Sequence, residues 1–166
     1  IAGQDPPQIL HRACDAFADE PGRFATAVIM IADVATGQLQ WVNAGHPAPR
    51  VIRADGTIVR LTPTGPMVSW LGGTWSMDAT ALNPRDRVLA FTDGILESRN
   101  LAGEELGDDD LDALLRTAAE QADEPPEVIA QVLATVRERA HDLGRDDVTL
   151  VAMRLDARTS SSAPEP

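Results

Sequence analysis

Short apolar runs separated by tight-turn signals constrain this chain more than any other feature. Phe24 to Val34 (FATAVIMIADV) meets Ala35-Thr36-Gly37 and continues into Gln38 to Ala44. Arg50 to Arg53 and Thr57 to Leu61 flank Asp55-Gly56, a strong hairpin signal. Ser76 to Leu82 meets Asn83-Pro84-Arg85-Asp86 and then Arg87 to Thr92. Strands joined by turns this short are antiparallel, because parallel neighbours need a long crossover. Phe24 to Val34 is apolar nearly throughout, which predicts a central strand covered on both faces. Residues 62–74, with two prolines and three glycines, read as a loop.

Helical spacing frames this meander. Residues 6–19 place Ile9, Leu10, Ala13, Cys14 and Phe17 on one face, with Pro6 and Pro7 in the first turn. Residues 108–122 and 125–142 form a second and third helix, and Asp147 to Leu155 a last strand. The order predicts an α+β layered domain over residues 1–156, with residues 157–166 a disordered tail.

Bulk properties exclude several classes. The 166 residues are enough for one sizeable core. A net charge of −12 argues against nucleic acid or an anionic membrane as partner. All 14 basic residues are arginine, so Schiff-base and P-loop lysine chemistry is absent. The single cysteine, Cys14, reads as a structural thiol on an apolar helix face; without an internal disulfide the chain fits a reducing compartment. No apolar stretch reaches the roughly 18 residues of a membrane span, and no signal peptide opens the chain, so a cytoplasmic location is expected.

The run Val88-Leu89-Ala90-Phe91 ends in Thr92-Asp93-Gly94. A buried strand can end so in order to turn, or to hold a carboxylate at the sheet edge. Asp146 and Asp147 open the last strand. If the two strands are antiparallel neighbours, these carboxylates converge at one edge and repel unless a cation neutralises them. Oxygen-only ligands select hard ions such as Mg²⁺ or Mn²⁺.

Four stretches in order now resemble a known family: FATAVIMIADVATGQLQWVNAGHPAP, DRVLAFTDGILESRN with the following GEELG, the helix pair, and DDVTLVAMR. Together they make the chain similar to the metal-dependent serine/threonine phosphatases of type 2C (PPM), in the bacterial subgroup of stage II sporulation protein E and the sigma-B regulator phosphatases. The resemblance implies a four-layer α-β-β-α sandwich of two antiparallel sheets flanked by helices, and a centre of two Mn²⁺ or Mg²⁺ ions. It implies metal-ligating, and thereby catalytic, roles for Asp93 and Asp146, with Gly94 and Asp147 supporting them through water or in a second layer. It further implies an earlier Asp-Gly motif upstream of the first helix. This chain, opening at Ile1, begins after that point, so an N-terminally truncated domain is expected.

The resulting expectation is a phosphatase acting on phosphoserine or phosphothreonine through metal-activated water. By resemblance the substrate is an anti-sigma-factor antagonist, with a sensor domain upstream and room for a homodimer. A non-catalytic phosphatase-like signalling module is the alternative. His46, in Asn43-Ala44-Gly45-His46-Pro47, reads as a turn residue in preference to a general acid. Asp108-Asp109-Asp110 reads as a helix N-terminal charge cluster, and Arg99 as a surface ion-pair residue.

Overall fold

The computed structural model describes residues 5–140 and 147–156. Helix α1 (Pro6–Asp15) starts on two prolines, where the missing N–H groups would have no helical partner anyway. It stops earlier than its apolar spacing predicts. Ala16, Phe17 and Ala18 bond back three residues to Ala13, Cys14 and Asp15, tightening the chain out of the α-helix. Leu10 is buried against Val42, Val68 and Trp75, with half-buried Cys14 beside them.

One sheet follows. β2 (Ala27–Asp33) pairs with β3 (Gln38–Ala44) along seven residues, from Ala27↔Ala44 to Asp33↔Gln38. Asp33 caps the connecting turn: its carboxylate accepts the N–H groups of Ala35 (2.8 Å) and Thr36 (3.3 Å). β7 (Asp78–Ala81) pairs with the other side of β3.

The expectation of a continuous central strand over Phe24 to Val34 is corrected here. The run breaks at Thr26 into β1 (Phe24–Ala25) and β2, and β1 pairs with β6 (Val68–Ser69), inside the stretch read as loop. Among the described residues β2 is an edge strand in the order β2-β3-β7. None of its residues is buried, and Ile31 is 43% exposed. Its apolar content still has a reason: Ile29 faces the α1 cluster and Met30 faces the other sheet. Both faces are met, but only partly, because an edge strand has a neighbour on one side.

The second sheet has the order β5-β4-β8-β9, all antiparallel: β4 (Arg50–Ile52), β5 (Ile58–Arg60), β8 (Arg87–Phe91) and β9 (Leu150–Arg154). Strand period two sorts its side chains. Val51 and Val88 face Leu39 and Trp41 of the first sheet. Ile52, Leu89 and Phe91 face α3 (Gly107–Gln121) and α4 (Pro125–Arg139), which offer Leu111, Leu115, Val128 and Val132. The layers therefore run helix, sheet, sheet, helix pair, as the resemblance implies.

The acidic first turn of α3 does more than complement a helix dipole. Arg50 is fully buried and pairs with Asp108 and, at 2.7 Å, with Asp112; its guanidinium lies 5.4 Å from the Phe91 ring centroid. Asp109 pairs with Arg60 and Asp110 with Arg139, each at 2.5 Å. The cluster thus ties α3 to β4, β5 and α4. Among the described residues no helix is long and apolar enough to cross a membrane. The predicted tail lies outside the described residues.

Candidate active site

β8 ends at Phe91, paired with Leu150 of β9. The ladder continues one residue further through a side chain. The Thr92 N–H donates to the Thr149 carbonyl (3.1 Å), and the Thr149 N–H donates to Thr92 Oγ1 (2.9 Å). Thr92 Oγ1 in turn donates to the Asp147 carbonyl at 2.8 Å. A hydroxyl can accept and donate at once, and here it uses both capacities to clasp residues 147–149.

The chain then turns into a one-turn helix, α2 (Asp93–Leu96). Gly94 is buried, and a Cβ there would lie 2.9 Å from the Asp147 carbonyl oxygen and 3.3 Å from Val148 Cγ2. Only glycine lets the turn approach the start of the last strand so closely. The Asp93 carboxylate is exposed beside this junction, and Asp147 is exposed across it. The antiparallel junction read from the sequence is present in the backbone, where Thr92 and Gly94 meet the Asp147 carbonyl and Asp93 stands between them in the chain. Asp146 lies outside the described residues.

Asp93, Glu97 and Asp108 line one open cavity of about 500 Å³ together with Thr26, His46 and Arg60. His46 reaches it through a braced turn. Its N–H donates to Asn43 Oδ1 (2.8 Å), while buried Asn43 Nδ2 donates to the carbonyls of His46 (3.0 Å) and Leu61 (3.1 Å). Gly45 takes φ 69 between them, under Met67. His46 is therefore a turn residue in its backbone, as read, yet its ring faces the same cavity as Asp93. Its Nδ1 lies 3.2 Å from Thr26 Oγ1. Burial holds the imidazole below its ordinary pKa, against the opposing pull of the Asp93 carboxylate and the Phe91 carbonyl.

These oxygen donors belong to the class that suits a hard divalent cation. Among the described residues no group of three or more His, Cys, Asp or Glu is placed to hold one. Thr92, Thr26, Asn43 and Arg60 were not singled out from sequence; only Thr92, directly before the Asp-Gly, carried a positional signal. Arg99 pairs with Glu105, in line with its reading as an ion-pair residue.

Stacked antiparallel sheets between helices, with an acidic strand junction at one edge, define the class of the type 2C phosphatase domains. The chain belongs to the stage II sporulation protein E (SpoIIE) family, whose model matches residues 2–156. It is 28% identical over 131 residues to protein IcfG of Synechocystis, covering 78% of this chain and 20% of that protein. The structure of the RsbU and RsbW domains of Rv1364c from Mycobacterium tuberculosis is similar at 27% identity and a TM-score of 0.75, over 95% of this chain and 44% of that one. The phosphatase domain of SpoIIE from Bacillus subtilis, presoaked with Mn, shares the fold at 17% identity and a TM-score of 0.61, over 95% and 70% of the two chains. This chain spans about a fifth of IcfG and under half of the Rv1364c chain.

Proposed function

We propose that this chain is the larger part of a serine/threonine phosphoprotein phosphatase domain. The observation that carries this is the Thr92–Gly94 clasp, which brings the backbone on both sides of Asp93 against the start of the last strand. Asp93 and Asp146 would hold Mn²⁺ or Mg²⁺, and the Mn-presoaked B. subtilis domain supports that choice. When bound, such a pair of ions supplies a water of lowered pKa and neutralises phosphate charge. The chain's own residues do the positioning. Thr92 fixes residues 147–149, Gly94 permits the close approach, and Asp147 stands in reach of the junction. His46 and Thr26 wall the cavity on the side of the first sheet, and Arg60 contributes its positive rim.

The Rv1364c structure holds an RsbU and an RsbW domain in one chain, which supports a regulatory protein as substrate. We assign the substrate to phosphoserine or phosphothreonine on an anti-sigma-factor antagonist-like protein in the cytoplasm. An upstream sensor and a homodimer belong to the same reading, as do one domain over residues 1–156 and a tail beyond. The test is phosphate release from a phosphoserine peptide by the full-length protein. Release should require Mn²⁺ or Mg²⁺, and Asp93→Asn should lower it more than tenfold, a loss above about 1.4 kcal/mol of transition-state stabilisation. Asp93→Asn should also abolish the rise in melting temperature with Mn²⁺. Metal-independent release, or full activity in the variant, overturns the mechanism. No release from any form, with the Mn²⁺ response intact, favours the non-catalytic signalling module.

A further inference from the structure

Phe24, Met67, Trp70 and Leu71 line one open groove of about 290 Å³. They are four of the nine large apolar residues exposed among the described residues, so exposed apolar surface is gathered here and not scattered singly. The one charged residue on the wall, Arg23, is paired with Glu20.

The loop that displays these side chains is fixed from below. β6 pairs with β1, and its Val68 is buried with Leu10 and Trp75. Trp75 Nε1 donates to the Pro66 carbonyl at 2.7 Å. Just after β6 the Gly72 N–H donates to the Ser69 carbonyl at 3.0 Å, closing a turn with Trp70 and Leu71 at its centre. Turn chemistry favours Gly, Asn, Asp or Pro at such positions. Instead a Trp that is 47% exposed and a Leu that is 74% exposed stand there.

The groove adjoins the cavity at Asp93. Phe24 of β1 is on the groove wall, and Thr26, the residue after β1, lines the cavity. Gly45 lines the cavity and Met67 the groove, and a Cβ on Gly45 would lie 2.5 Å from Met67 Cγ. The two hollows thus back onto one another through this pair. A polypeptide whose phosphoresidue stands in the cavity must leave over the rim. On the side of the first sheet, the next surface that it meets is the groove.

We infer that this groove docks the phosphoprotein substrate, taking an apolar run of the substrate chain that flanks its phosphoserine or phosphothreonine. The assignment rests on the phosphatase reading of the Asp93 cavity: the groove supplies affinity and the cavity the chemistry. Aromatic and Met side chains on a fixed scaffold are the usual anchors of such contacts. With Arg23 as its one cation, in a chain of net charge −12, the groove is poorly matched to an anionic lipid surface.

Fluorescence anisotropy of labelled phosphoserine peptides with the full-length protein in EDTA measures docking apart from catalysis. One probe carries a run of Leu, Ile and Val before the phosphoserine, a second carries it after, and a third has Gly and Ser in its place. One apolar probe should bind about tenfold or more tighter than the Gly/Ser probe, and Trp70→Ser with Leu71→Ser should erase that preference. Both side chains are exposed, so the melting temperature of the double variant should hold. With Mn²⁺ present, the double variant should raise KM for the preferred peptide about tenfold and move kcat by less than about twofold. Equal binding of the three peptides, or an unchanged preference in the variant, overturns the groove whether or not phosphate is released. A preference lost in the variant, with no phosphate release from any form, keeps the docking surface and overturns the phosphatase reading alone. Self-association, or binding to phosphatidylcholine vesicles, that the variant loses while its peptide affinities stay unchanged gives the groove to a second copy or a lipid and overturns the inference.

Discussion

Leu111 of α3 is fully buried, whereas Ile31 of β2 is 43% exposed, and the two residues typify two unequal halves of the molecule. On one side, β4 and β8 are closed off by α3 and α4, and the cluster around Leu89, Leu111 and Val128 has no exposure to speak of. On the other side, β2 has one strand neighbour among the described residues and only α1 across its outer face. The acidic junction grows from the closed half: Asp93 follows β8 after Thr92 alone. The wall of its cavity comes from the open half, through Thr26 and His46. Stability thus comes mainly from one sheet while the site draws on both, and substitutions should separate the two.

The largest effect is expected in the closed half. Leu111→Ala should cost about 2–5 kcal/mol, while Ile31→Ala should cost under roughly 1 kcal/mol, as already half-exposed side chains leave little cavity. Urea denaturation of both variants checks the contrast, and equal losses would break it. Next comes Arg50→Ala. It removes a fully buried cation from Asp108 and Asp112 and vacates its place over Phe91, so about 3 kcal/mol of destabilisation is expected by the same measurement.

Gly94→Ala probes the seam between the halves. The added methyl meets the Asp147 carbonyl, for about 1–3 kcal/mol of strain. Its Mn²⁺-dependent rise in melting temperature should shrink further than that of Leu111→Ala, although its stability loss is the smaller. An unchanged Mn²⁺ response in Gly94→Ala would show that the close approach does not set the junction.

The smallest effect is in pH dependence. Burial lowers the folded-state pKa of His46 below its unfolded value near 6.5. The unfolded chain therefore takes up the proton first on acidification. Stability from this group is present above the unfolded value and lost as pH falls through the folded one. In EDTA, His46→Gln should flatten that decline; an identical pH profile would remove His46 from the linkage.

The sequence showed some of this more clearly than the rest, for physical reasons. The hairpin at Asp55-Gly56 and the turn at Ala35-Thr36-Gly37 are local events, and both stand where turn chemistry puts them. The helix pair is equally local, since each stripe repeats within its own segment. Centrality is not local. FATAVIMIADV is apolar because two different partners touch its two faces, and composition cannot say how completely each does so. Arg50 shows the same limit: nothing around it in sequence marks it as core, as its partners lie 58 and 62 residues away. At the junction, Asp93 and Gly94 were legible as a strand-ending pair. The Thr92 hydroxyl was not, because both its partners come from the far end of the chain.

That last separation has a kinetic consequence. Thr92 and Asp147 are 55 residues apart, and both α3 and α4 lie in the loop that their contact closes. Closing so long a loop carries an entropic cost that is offset only once the intervening helices have docked on β8. The junction should therefore be among the last contacts to form in folding. In hydrogen exchange, the Thr149 amide bonded to Thr92 should open by a smaller fluctuation than the Leu89 amide in the centre of the same sheet.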